Sequence, residues 1–165
     1  MRMVLAALVA MTGPAMAQDD AMPLADPAVV DACLAGDADP MSCIGTAAQA
    51  CMEGPGGSTT VAMSSCLSQE LSHWDGLLND SYERLMAQSK AADAQMADLG
   101  SAAPEQAPLL RQMQRDWIAY RDTACSYEGS RWGGGTGAGP AGTKCMLTQT
   151  ARQYLWLDAY LTEGR

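Results

Sequence analysis

The chain has 165 residues and carries 19 Asp and Glu against 10 Lys and Arg, a net charge of −9, with six cysteines and one histidine. So acidic a balance excludes nucleic acid and anionic membrane surfaces as partners, because both are held by basic patches, and it favours a cationic protein. A chain of this length is one ordinary domain that buries about two thirds of its unfolded surface.

Residues 1–17 read as a secretory signal. Arg2 supplies the positive start, Met3–Met11 is a short apolar run, and Ala15-Met16-Ala17 is a small-x-small cleavage site. The run is shorter than the roughly 20 apolar residues needed to span a bilayer. The expected mature chain begins at Gln18 and is periplasmic or secreted. No cysteine follows the cleavage site to take a lipid anchor, and no membrane insertion is expected after signal removal.

Beyond a polar lead at Gln18–Asp26, the sequence predicts a short helix over Pro27–Ala35, with Pro27 at its first position. A second helix is predicted over Pro40–Met52, ended by the breaker Glu53–Gly57. Ser58–Thr60 then offers caps for a long helix over Thr60–Ala91, in which Met63, Leu67, Leu71, Trp74, Leu78, Tyr82 and Leu85 recur at spacings of three and four. Asp93–Pro108 reads as a less ordered bridge with Pro104 and Pro108 as breakers. A helix follows over Leu109–Tyr127, then the glycine-rich Gly129–Gly142 as a loop, and a last helix over Thr143–Leu161. The expected fold is all-α: a disulfide-stapled helical bundle with a Gly-rich loop between the last two helices. Residues 18–50 form an N-terminal helical extension and residues 51–162 the main helical domain.

Cys33, Cys43, Cys51, Cys66, Cys125 and Cys145 all follow the signal, and an even count in a secreted chain points to disulfides. Pairing in chain order, Cys33–Cys43, Cys51–Cys66 and Cys125–Cys145, bridges one inter-helix connection each, although other connectivities are open to six cysteines. With no CxxC pair and His73 as the single histidine, no metal site is expected.

Two segments combine large apolar residues with charge. Cys66–Leu85 reads CLSQELSHWDGLLNDSYERL, carrying Glu70, Asp75 and Asn79, and Gln114–Cys125 reads QRDWIAYRDTAC, carrying Arg115, Trp117, Arg121 and Asp122. Together with Cys145, Thr148 and Arg152, they resemble the motif of the LprI-like lysozyme-inhibitor family, over roughly residues 51–160. The resemblance implies a non-enzymatic helical protein that binds a cationic muramidase and blocks its cleft.

Asp75 and Asn79 lie one turn apart on a helix, and Arg115, Arg121, Asp122 and Arg152 lie on the two helices expected to face it. A polar network linking helices accounts for them better than an acid/base pair of Glu70 and Asp75, for which no nucleophile, metal or cofactor loop accompanies the carboxylates. Trp117 and Arg121 have the spacing of a stacked pair. His73 has no nucleophile elbow nearby and reads as a surface or helix-capped histidine. The glycine segment lacks the order of a phosphate-binding loop, so no cofactor is expected. Within it, Arg131 and Trp132 are large side chains on a loop tethered by two cysteines, and are the candidate partner contacts. The rival reading is an envelope interaction module that never meets lysozyme.

Overall fold

A computed structural model describes residues 22–163; the expected signal segment lies outside them. The elements are α1 (Ala28–Leu34), a 3-10 turn (Pro40–Cys43), α2 (Thr46–Glu53), α3 (Thr60–Asp98), α4 (Gln106–Ser130) and α5 (Ala138–Glu163). No strand occurs among the described residues, and none of their helices is long and apolar enough to cross a membrane.

The 39 residues of α3 make it the axis of the bundle, about 58 Å long at roughly 1.5 Å per residue. Thr59 opens it, its hydroxyl accepting from the Ala62 N–H at 3.1 Å. One stripe is buried: Ala62, Cys66, Leu67, Glu70, Trp74, Leu78, Ser81, Met86 and Ser89, the three-and-four spacing of a single helical face. Helix α5 runs parallel to α3: Leu67 shares one core cluster with Leu147, Trp74 packs on Tyr154, and Leu78 shares the other cluster with Leu157. Helix α4 runs antiparallel to both, and the large side chains that join it to them are Leu110, Met113 and Trp117.

The core has two parts. One lies where α1, the 3-10 turn and α2 cover the start of α3, around Val30, Cys43, Ala48, Trp74 and Ala151. The other lies where α4 begins, around Leu78, Met86, Leu110 and Leu157. Tyr154 packs against both. Burial pushes its phenol above the ordinary tyrosine range, and the nearby Asp158 and Asp31 carboxylates push the same way, against Arg84.

Three disulfides, Cys33–Cys43, Cys51–Cys66 and Cys125–Cys145, join neighbouring elements in the chain-order pairing expected from the sequence. The first binds α1 to the 3-10 turn, the second α2 to α3, and the third α4 to α5. The N-terminal elements therefore share a core and a covalent link with the long helices.

Five boundaries differ from the sequence expectation. The helix expected over Pro40–Met52 is broken at Ile44-Gly45, where Gly45 has φ of 94° and restarts the chain as the N-cap of α2; only glycine takes that backbone without penalty. Helix α3 continues to Asp98 and ends at Gly100, whose N–H bonds to the Ala97 carbonyl while the Ser101 N–H bonds to Met96. This is the paired pattern of a glycine-terminated helix. The bridge is thus only Leu99–Glu105, and Pro108 sits in the first turn of α4. The glycine-rich segment is helical at both ends: α4 passes through Gly129, and α5 already includes Gly139, Pro140 and Gly142. Both prolines fall where helical N–H groups have no intrahelical acceptor, so they cost no hydrogen bond there.

Candidate binding surface at the helical tip

The Cys125–Cys145 bridge, with Cα atoms 5.3 Å apart, staples α4 and α5 close to the end of their hairpin. Above it the connection is Arg131–Gly137, where Gly133 (φ 55°) and Gly134 (φ 83°) turn the chain through left-handed backbone. Trp132 is folded against the tip. A Cβ on Gly137 would lie 2.2 Å from its ring, so Gly137 is the seat of the indole, which nevertheless remains 53% exposed. Arg131 turns back along α4, its Nη1 donating to Glu128 Oε2 at 3.0 Å.

Trp132 forms part of the wall of an open groove of about 1260 Å³. The groove is lined also by Gln49, Ala50 and Glu53 of α2, by Met63 and Leu67 of α3, by Glu128 of α4, and by Ala141 and Lys144 of α5. Gly139 lets α5 approach α3 closely, since a Cβ there would lie 3.1 Å from the Ser64 hydroxyl.

The motif residues fall into separate groups. Glu70 is buried between α3 and the start of α2. Its Oε1 accepts from the Gly45 N–H at 2.7 Å and the Trp74 indole at 2.8 Å, and its Oε2 accepts from the Ala48 N–H at 2.6 Å. It caps α2 from a distant part of the chain, where the helix dipole favours negative charge. Both carboxylate oxygens are committed to structure. Asp75 is half-buried on α3 and accepts from the exposed Asn79 at 3.1 Å.

Arg121 lies 4.9 Å over the Trp117 ring, the stacking its spacing suggests. It also forks onto Asp122, with Nε at 3.0 Å and Nη2 at 2.9 Å, and reaches the buried Thr150 hydroxyl of α5 at 3.4 Å. Arg115 bonds Gln112 on its own helix, and Arg152 is exposed on α5. The structure therefore joins Arg121 to α5 but leaves Asp75 and Asn79 paired with each other. Two cross-links have no counterpart in the sequence reading. Gln153 donates to Gln114 at 3.0 Å, buried between α5 and α4, and His73 meets Asp31 of α1 at 2.7 Å.

Residues 51–157 match the family described as lysozyme inhibitor LprI. The chain belongs to the LprI lysozyme-inhibitor family. The match spans α3, α4 and most of α5, including the Glu70 cap, the Arg121–Trp117 stack and the stapled tip. An uncharacterized protein of Rhizobium meliloti (strain 1021) is similar to this LprI-family chain, 32% identical over 71 residues that make up 43% of this chain. The chain spans about half the length of that relative, the matched part being 51% of it. No solved structure matches the chain.

Proposed function

We propose that this protein is an extracytoplasmic inhibitor that binds a cationic lysozyme and obstructs its cleft. Its membership of the LprI family over residues 51–157 carries the reading. Three disulfides suit an oxidising compartment outside the cytoplasm, with the periplasm or the secreted fraction as its place. The net charge of −9 suits electrostatic capture of a cationic enzyme.

Lysozymes cleave glycan with two carboxyl groups in a cleft shaped for sugar rings. Trp132, exposed beside the groove, and Arg131, paired with Glu128 on the stapled tip, are the large side chains there that can meet the enzyme. The staple below them limits the loss of freedom on binding. A role without chemistry of its own fits Glu70, whose oxygens already serve the fold.

The test is lysis of a peptidoglycan suspension by chicken-type and other lysozymes with the oxidised mature protein titrated in. Stoichiometric loss of lytic activity is expected, weakened by Trp132→Ala and Arg131→Ala. Undiminished lysis by every muramidase at micromolar excess overturns the reading in favour of an envelope interaction module.

A further inference from the structure

The charge of this chain is unevenly placed. Residues 22–83 contain nine carboxylates and no lysine or arginine. Of these nine, Glu70 alone is buried; the others lie exposed or half-buried on α1, α2, the first two thirds of α3 and the segments before and after α1. Every lysine and arginine of the described chain lies at Arg84 or beyond. One wall of the groove, α2, belongs to this acidic part and carries Glu53; Glu128 also lines the groove, against the single lining cation Lys144. The interior is apolar, with Met63 and Leu67 beneath and the Trp132 indole beside them.

We propose that this groove, rather than the outermost point of the tip, is the docking site for a basic surface segment of the cationic muramidase. An apolar side chain of the enzyme sits between Trp132 and α2, and flanking lysine or arginine side chains meet Glu53 and the acidic pole around it. The inference rests on the inhibitor reading and names the surface it uses. Charge complementarity selects the occupant: a basic protein gains both burial and attraction here, whereas an acidic or neutral one gains burial alone. Trp132 then acts as a fixed wall in the position Gly137 allows, not as a probe extended from the loop.

Inhibition and binding kinetics of the oxidised mature protein against chicken-type lysozyme at several salt concentrations test this. Ala50→Trp fills the groove from an exposed helical position, and Gly137→Ala evicts the indole while leaving Trp132 in the chain. Each is expected to weaken binding about tenfold or more, as loss of a central anchor does. Glu53→Lys is expected to slow association and flatten its salt dependence. Gln88→Trp, the same bulk at an exposed site far along α3, is expected to bind as wild type, and unchanged melting confirms that each variant is folded. Wild-type potency in both Ala50→Trp and Gly137→Ala overturns the groove while the inhibitor role stands. Weakening by Gln88→Trp equal to that by Ala50→Trp also overturns it. Failure of the wild-type protein to bind any muramidase overturns both.

Discussion

The indole N–H of Trp74 donates at 2.8 Å to Oε1 of Glu70, one turn earlier on α3, and the same oxygen accepts the Gly45 N–H at 2.7 Å. With Oε2 held by Ala48, a single buried carboxylate ties α2 to α3 and orients the largest side chain of the core. Removing it leaves two backbone donors and an indole unpaired in an apolar setting. Glu70→Ala is therefore expected to lower unfolding free energy by about 3–5 kcal/mol. Glu70→Gln, which turns an amide NH2 towards a donor, is expected to cost about 1–3 kcal/mol. Urea denaturation with the disulfides intact measures both, and a Glu70→Ala loss under about 1 kcal/mol would falsify the capping role.

Asp93 performs the same service at the other end. Its carboxylate receives the Gln106 N–H at 2.6 Å and the Ala107 N–H at 2.9 Å, opening α4 from a residue on α3. Asp93→Ala is expected to cost about 1–2 kcal/mol and to speed amide exchange in the first turn of α4 while the stapled end keeps its protection. Uniform exchange along α4 in the variant would show that the cap is not local.

Gly57 and Gly56 should respond differently to alanine. At Gly57 a Cβ would stand 2.5 Å from the Met52 carbonyl oxygen and 2.6 Å from that of Cys51, so the end of α2 must shift. At Gly56 nothing lies within 4 Å, but φ is 76°. Gly57→Ala is expected to cost about 2–3 kcal/mol from overpacking and to slow oxidative formation of Cys51–Cys66. Gly56→Ala is expected to cost about 1 kcal/mol from backbone strain alone. Thermal melts of the two variants compare them directly, and equal losses would contradict the close packing at Gly57.

Tyr154 gives the molecule an alkaline limit. Its phenol ionises above the ordinary tyrosine value because burial, reinforced by Asp158 and Asp31, disfavours the phenolate. A folded pKa above the unfolded one contributes stability that is complete below the unfolded value and is lost as pH rises through the folded value. Unfolding free energy should therefore fall above about pH 10, and Tyr154→Phe should reduce that fall. Ultraviolet titration at high pH should lose its latest-ionising tyrosine in the same variant. An unchanged titration curve would remove Tyr154 from this role.

The helical periodicity of Trp74, Leu78 and Tyr82, and of Leu147, Ala151 and Tyr154, was legible because burial of one helical face imposes a spacing that any reader of the chain can count. The disulfide order was legible for a related reason: each bridge closes the connection between elements adjacent in sequence. Pro108, Pro140 and Gly129 misled because a residue's cost in a helix depends on its position. A proline in the first turn loses no hydrogen bond, whereas one in the interior does.

The sequence by itself determined an all-helical, disulfide-bonded and acidic chain, since these rest on local spacing, on an even cysteine count and on counting charges. Only the tertiary structure decided what each polar residue serves. Spacing on one helix places Asp75 and Asn79 on a common turn, but it is the packing of Trp74 and Leu78 into the core that turns Glu70 inward and leaves Asn79 in solvent. Two of the three partners of Glu70 are backbone N–H groups 22 and 25 residues away, and every residue except proline has such a donor, so nothing in the sequence marks which ones a buried carboxylate will take. The groove beside Trp132 is likewise made by four helices and a glycine against which the indole rests; it exists only once those helices meet.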